Sequence, residues 1–353
     1  MLVRIFGVSV LLTVAGLIAA LLYGGPTALF VTAILVVLEV SLSFDNAVVN
    51  ARVLERMSPY WQRMFLTVGM VVAVFGMRLV FPLLVVGATA HISPWRAWQL
   101  ALQRGDPDTP GSYGYLLHEA HPAIAAFGGV FLLMIFLNFL IDEEKELHWL
   151  VAVEQTIQRA GLLRWASELI ALATLAGFTL AYHQHATQVL ISGLAGLASY
   201  LLVDGAAQRF QDSGVPGADS TDGGPHGAAG AVVATGKAAF WLFVYLQVLD
   251  ASFSFDGVIG AFAITSDPVV IALGLGIGAL YVRSLTVMLV RKGTLGELVF
   301  LEHGAHWAIG ALAVLLLVSI EHEVPEVVTG LIGVGFIGAA LVSSLRHNRL
   351  HPV

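Results

Sequence analysis

Apolar residues run along the chain in long blocks, separated by short stretches rich in charge, Gly or Pro. A helix needs about 20 apolar residues to cross a hydrocarbon core about 30 Å thick. Ten blocks meet that need, over 3–23, 27–51, 64–90, 122–141, 164–184, 188–204, 238–264, 268–290, 305–320 and 325–345. The first follows Arg4. It is too long for the apolar core of a signal peptide and has no clear small-residue cleavage site, so it reads as a retained helix. Three stretches break the pattern. Residues 92–121, from Pro94 through the Asp106–Pro110 turn, predict a loop with short amphipathic pieces. Residues 142–162 alternate Asp142, Glu143, Glu144, Lys145 and Glu146 with Trp149, Leu150, Val153 and Ile157, which predicts a helix lying on the surface. Residues 205–236 hold Gly, Ala, Asp, Ser and Pro with few large apolar groups and predict a flexible linker.

Composition narrows the class. Hydrophobic residues make up 58% of the 353 and charged ones only 12%; the mean hydropathy is +0.84. A soluble domain carries about a quarter charged residues and could not hide this much apolar surface. The net charge of −7 and the lack of a basic block argue against nucleic acid as a partner. Cysteine is absent, which excludes disulfides, thiolate nucleophiles and Cys-ligated metals. Any bound metal would take oxygen or imidazole ligands.

Charge placement sets an orientation. With the N-terminus inside, the inner segments carry 13 of the 17 Lys and Arg, the outer segments carry Arg96 and Arg104, and Arg78 and Arg283 fall within spans. This asymmetry predicts a multi-pass protein of the cell inner membrane with both termini cytoplasmic.

The polar residues inside the apolar blocks repeat. Residues 38–47 read Leu-Glu-Val-Ser-Leu-Ser-Phe-Asp-Asn-Ala and residues 249–258 read Leu-Asp-Ala-Ser-Phe-Ser-Phe-Asp-Gly-Val. Glu39 aligns with Asp250, Ser41 with Ser252, Ser43 with Ser254 and Asp45 with Asp256. Arg78 in the third block answers Arg283 in the eighth. His118-Glu119-Ala-His121 at the fourth answers Glu302-His303-Gly-Ala-His306 at the ninth. The expected fold is therefore all-α, with about ten transmembrane helices in two inverted five-helix repeats. The first repeat fills 1–204 with its outside loop and inside surface helix. The linker is 205–236, and 237–353 completes a second repeat that begins near 188. Counting about 1.5 Å per residue from Thr27 and from Lys237 puts Glu39 and Asp250 both about 18–20 Å deep, near the bilayer midplane.

An acid at the centre of a span costs about 2.5–3.5 kcal/mol on insertion scales, so these carboxylates should share a polar site. Glu39, Asp45, Asp250, Asp256, Asn46 and the serines Ser41, Ser43, Ser252 and Ser254 offer oxygen ligands for a hard divalent cation. Other readings stay open. Arg78 and Arg283 can neutralise two of the acids in buried ion pairs, or serve as gating charges or counter-ions. The acids can relay protons, and the serines can simply bond their own helix backbone. The histidine pairs, at i and i+3, sit on one helix face each and make candidate vestibule ligands: His118, Glu119 and His121 at the outer mouth, and Glu302, His303 and His306 at the inner.

The two repeated segments resemble the signature motifs of the TerC-like integral membrane proteins. The His303-Gly-Ala-His306 run resembles the subgroup of that family known as domain of unknown function 475, within the lysine-exporter superfamily. The resemblance implies manganese efflux or metal supply to secreted proteins, with Glu39, Asp45, Asn46, Asp250 and Asp256 as ion-site residues. Gly257 departs from the polar residue commonly found at its position, which alters the ligand count. The expected function is a secondary transporter that exports a divalent metal cation, Mn2+, as the transported ion. A membrane scaffold that hands metal to secreted proteins is one alternative and an intramembrane enzyme another; no enzymatic activity is expected. The expected partners are membrane lipid and the divalent ion, with a homodimer left open.

Overall fold

The structure is a computed structural model that describes residues 2–103, 105, 108–141, 147–160, 165–212, 234–265, 267–292, 298–322 and 324–350. Every element among them is helical: α1 (Leu2–Leu42), α2 (Phe44–Glu55), α3 (Pro59–Met64), two π-helical turns (Phe65–Gly69 and Val72–Val80), α4 (Phe81–Thr89), α5 (Pro94–Leu102), α6 (Tyr113–Ile141), α7 (Val151–Ala160), α8 (Ala166–Ala181), α9 (Ala186–Asp212), α10 (Gly236–Ile264), α11 (Pro268–Lys292), α12 (Leu301–Val318) and α13 (Glu326–Leu350). Among the described residues six helices are long and apolar enough to cross a membrane, and α8 is a shorter apolar helix.

Two interruptions mark the first helix. Gly24 and Gly25 leave helical geometry, Gly25 with φ of 72°, and Pro26 follows without an N–H to continue the ladder. This is the boundary expected between the first two apolar blocks. The second interruption is a single residue, Ser43, at φ −100° and ψ 18°. Its N–H still reaches the Glu39 carbonyl at 3.0 Å, so α2 continues nearly in line with α1. The aligned segment in α10 runs unbroken through Ser252 and Asp256.

The stretch 59–89 is one rod built of α, π and α turns. The wider π turns leave carbonyls free of the regular i to i−4 pattern. α6 begins at Tyr113, well before Pro122, where the sequence pattern places the start of the fourth span. Ser112 caps it, its hydroxyl accepting from the Tyr115 N–H at 3.1 Å. Pro122 is carried inside the helix, which membrane helices tolerate. His118 and His121 therefore lie within α6, not in a loop ahead of it.

α6 is the most buried helix and packs on α8, α9, α10 and α12. Two bulky apolar surfaces gain little from each other in lipid, so close backbone approach drives such contacts. Gly128 and Gly129 supply it: a Cβ on Gly129 would come within 2.9 Å of Leu317 on α12. α1 lies along α11, with Ser9 and Ser284 hydroxyls 2.8 Å apart between them. Further neighbours are α2 with α11 and with α12, α10 with the second π turn, α12 with α13, and α13 with α1. Large residues such as Leu11, Leu22, Phe30 and Leu331 remain exposed on the outer faces of α1 and α13. A water-soluble surface would not carry them in such number.

Within the stretch 142–162, Val151–Ala160 form α7, preceded by a bend at 149–150; residues 142–146 and 161–162 lie outside the described residues. α9 extends into the segment read as a linker, carries Gly205 within the helix, and ends at Asp212, ahead of Gly214 and Pro216 in the sequence. Residues 213–233 of the linker lie outside the described residues. Ala234 rejoins the bundle through backbone bonds to Arg56 and Ser58.

Candidate functional site

The site is built where the two repeated segments meet. Glu39, at the end of α1, and Asp250, in α10, are both buried. Arg78, from the second π turn, reaches between them. Its Nη2 donates to Glu39 Oε1 in a short charge-assisted bond. Its Nη1 donates to the Ala73 carbonyl at 2.8 Å, one of the oxygens in the π turn, and stands 4.0 Å from Asp250 Oδ2. Ser43 donates its hydroxyl to Glu39 Oε1 at 2.9 Å. Asn46 donates its amide to Asp250 Oδ1 at 2.8 Å. One guanidinium thus lies between carboxylates from both copies of the motif, and hydrogen bonds hold each acid in place.

Glycines make the room. A Cβ on Gly257 would lie 3.1 Å from Glu39 Oε2, and one on Gly278 would lie 2.5 Å from the Glu39 Cβ. Gly257, which replaces the polar residue expected from the resemblance, gives the Glu39 carboxylate its space against α10.

A small cavity opens beside this pair, among α2, the π turns, α10 and α11. Asp250 and Arg78 form one part of its wall, and Asn50, Gln247, Arg283 and Thr286 others. Several of these polar atoms are buried with no hydrogen-bond partner: Asp250 Oδ2, Arg78 Nε, Asn50 Oδ1 and both amide atoms of Gln247. Orphaned buried polar groups are rare and costly, so their convergence on one cavity marks a place for water, ions or ligand.

The remaining expected site residues are distributed as follows. Arg283 is half-buried on the cavity wall, with its Nη1 3.3 Å from Met70 Sδ, and makes no ion pair among the described residues. The repeat symmetry that pairs it with Arg78 does not extend to its partners. Ser252 donates to the Val248 carbonyl of its own helix at 3.0 Å. Asp45, Asp256, Ser41 and Ser254 lie in helices, and their side chains lie outside the described residues. Among the described residues, no three of His, Asp or Glu come together as a metal-holding group.

The two histidine pairs sit at opposite ends of the antiparallel helices α6 and α12. At one end the rings of His118 and His121 stack with centroids 6.4 Å apart, His121 Nε2 lies 3.3 Å from the Ser319 hydroxyl, and the Glu119 carbonyl accepts from Gln188. At the other end His306 lies flat on Phe139, 3.8 Å between centroids, with Nδ1 2.8 Å from the Glu302 carbonyl. His303 Nε2 is 2.8 Å from the Leu147 carbonyl, and Glu302 pairs with Arg52 at 2.7 Å. Beside them lies Glu154 of α7, fully buried. It accepts from the Trp149 and Leu150 N–H groups at 3.2 Å and from the Trp307 indole at 3.1 Å, and stands 3.8 Å from His303.

Sequence reasoning missed Asn50, Gln247 and Glu154. Helical spacing carried the information for the first two. Asn50 is one turn beyond Asn46 and Gln247 is one turn before Asp250, so each shares a face with a motif residue.

No curated protein and no solved structure matches the chain. A sequence profile described as "Protein of unknown function (DUF475)" matches residues 44–351, which leaves Glu39 and Ser43 just ahead of the matched segment. With most of its length covered, the chain belongs to the family of domain of unknown function 475.

Proposed function

We propose that the chain is a secondary transporter that exports a divalent metal cation, Mn2+ in the reading favoured by its likeness to the TerC-like proteins. One observation carries the proposal: acids from both motif copies, Glu39 and Asp250, converge on the single guanidinium of Arg78. A buried cation held between two carboxylates is a natural stand-in for a transported cation. In the transport cycle the metal takes Glu39 and Asp250 as ligands, joined in this reading by Asp45, Asp256 and Asn46, and displaces Arg78. The unpartnered oxygens of Asn50 and Gln247 on the cavity wall can receive the displaced guanidinium.

The architecture of this reading is ten spans in two inverted repeats. Three pairs of packing neighbours favour it because they are related by the repeat. α8 lies on α9 as α13 lies on α1, α6 lies on α10 as α12 lies on α2, and the second π turn lies on α10 as α11 lies on α2. The break at Gly24–Gly25 and the rod over 59–89 supply spans that a count of long unbroken helices leaves out. The loop charges favour an inner-membrane protein with both termini in the cytoplasm.

The test is Mn2+ flux in proteoliposomes of the full chain, comparing wild type with Glu39→Gln and Asp250→Asn. Transport is expected to be lost in both; unchanged flux in both sinks the proposal. Saturable Mn2+ binding with no flux in the wild type would favour the metal-delivering scaffold instead.

A further inference from the structure

We propose that the cavity beside the ion pair is a binding site for a small oxyanion that also carries a hydroxyl, such as hydrogen phosphate or a 2-hydroxy acid, held by the guanidinium of Arg283. Arg283 lies nine residues before Lys292, about 13 Å from the end of α11, and is half-buried on the cavity wall. Among the described residues its polar contact is the Met70 thioether at 3.3 Å, an uncharged and weak acceptor. A guanidinium so placed keeps a fork of N–H donors whose geometry matches a planar carboxylate or one edge of a phosphate.

The rest of the wall agrees with an anion that bears a hydroxyl. Arg78 Nε and Gln247 Nε2 are buried donors with no partner. Asn50 Oδ1, Gln247 Oε1 and Asp250 Oδ2 are buried acceptors with no hydrogen-bond partner among the described residues, and a ligand hydroxyl satisfies one of them. The charged groups on the described wall are Arg78, Arg283 and Asp250; Arg78 is ion-paired with Glu39 and faces Asp250, which leaves Arg283 as the wall cation that has no carboxylate partner among the described residues. Glu39 is engaged by Arg78 and is not part of the wall. In a cavity with low-dielectric walls the Arg283 guanidinium attracts a negative charge. A bare divalent cation would be repelled by Arg283, so this subsite differs in kind from the carboxylate pair. It also stands apart from the transport reading, because anion binding is measured without any flux.

The experiment is thermal unfolding of the full chain in detergent, titrated with phosphate, glycolate, acetate or chloride at matched ionic strength. Phosphate or glycolate is expected to raise the unfolding temperature saturably, as binding to the native state requires. A shift with one but not the other identifies the ligand class. Arg283→Gln is expected to weaken the apparent affinity about tenfold or more, and Arg283→Lys less, since it keeps charge without the fork. Gln247→Leu removes a buried amide that has no partner, so it should fold as well as wild type while binding the anion more weakly. Equal shifts with chloride and with the oxyanions overturn the proposal. So does an unchanged affinity in Arg283→Gln or, should that variant fail to fold, in Gln247→Leu.

Discussion

Asn46 donates its side-chain amide to Asp250 at 2.8 Å, and through that bond α2 and α10 are fastened at the level of the buried acids. The two residues come from opposite copies of a repeated sequence segment. Their contact makes the repeat a single site instead of two separate ones. It also fixes the rotamer of Asp250, leaving Oδ1 engaged and Oδ2 facing Arg78 and the cavity.

Arg78 should be the costliest polar residue to remove. Arg78→Gln leaves Glu39 and Asp250 buried near each other without a cation. Breaking a buried ion pair from one side costs about 3–5 kcal/mol. The double variant Arg78→Gln/Glu39→Gln takes away that pair's two charges and should recover part of that loss, with Asp250 still buried without its cation. By contrast Arg52→Gln, which breaks the partly exposed pair with Glu302, should cost less than about 1 kcal/mol. Denaturant unfolding in micelles measures all three. Equal stability for Arg78→Gln and Arg52→Gln would contradict the central ion pair.

Gly278→Ala should disturb the same site from α11. The new methyl group would meet the Glu39 side chain at its Cβ, and the stem of an ion-paired glutamate inside a helix has little freedom to move. Overpacking of this kind costs about 1–3 kcal/mol. Gly335→Ala on α13 has open space around its Cβ and serves as the control, with a change near zero or slightly stabilising. The two unfolding midpoints should separate clearly; coincident ones would mean that the Glu39 pocket is loose.

The helical class, the breaks and the meeting of the two motifs were legible because they rest on spacing, and backbone hydrogen bonding in lipid leaves few alternatives. Partner choice was not legible. Arg78 and Arg283 look alike in sequence, each a lone arginine in an apolar block. Which one finds a carboxylate depends on the π turns of 65–80, which no hydrophobic period announces. Start positions suffered similarly: Pro122 looks like a first-turn proline, yet Ser112 starts α6 because its hydroxyl caps the helix. Glu154 was hidden among the acids of a helix read as amphipathic. Its place between Leu150 and Ile157, on the face that carries the large apolar groups, was the available clue.

Glu154 should act as the anchor of α7. Its carboxylate accepts from two backbone N–H groups and an indole, with His303 close by. Glu154→Ala would orphan these buried donors, at about 1–3 kcal/mol for each group left unpaired. α7 should then open locally without global unfolding. Hydrogen exchange reads this directly: the amides of Val151–Ala160 should exchange faster while those of α6 stay protected. Uniform protection in the variant would show that α7 is held by its apolar contacts alone.

Topology supplies the sharpest test of the architecture. The chain has no cysteine, so single cysteines can be introduced and labelled without background. In a ten-span arrangement α8 crosses the membrane although it has only 16 residues, about 24 Å against a core of about 30 Å. Gln184, after α8, then lies on the opposite side from Leu147, before α7. If only the six long apolar helices cross, α8 does not, and Gln184 shares a side with Leu147. Both positions are exposed. In intact cells an impermeant maleimide should label Gln184→Cys and Gln103→Cys, whereas Leu147→Cys should react only after the membrane is opened. Labelling of Gln103→Cys with protection of Gln184→Cys would remove α8 from the membrane. With it would go the inverted repeat, since the first half would then hold an even number of spans and enter with the same orientation as the second.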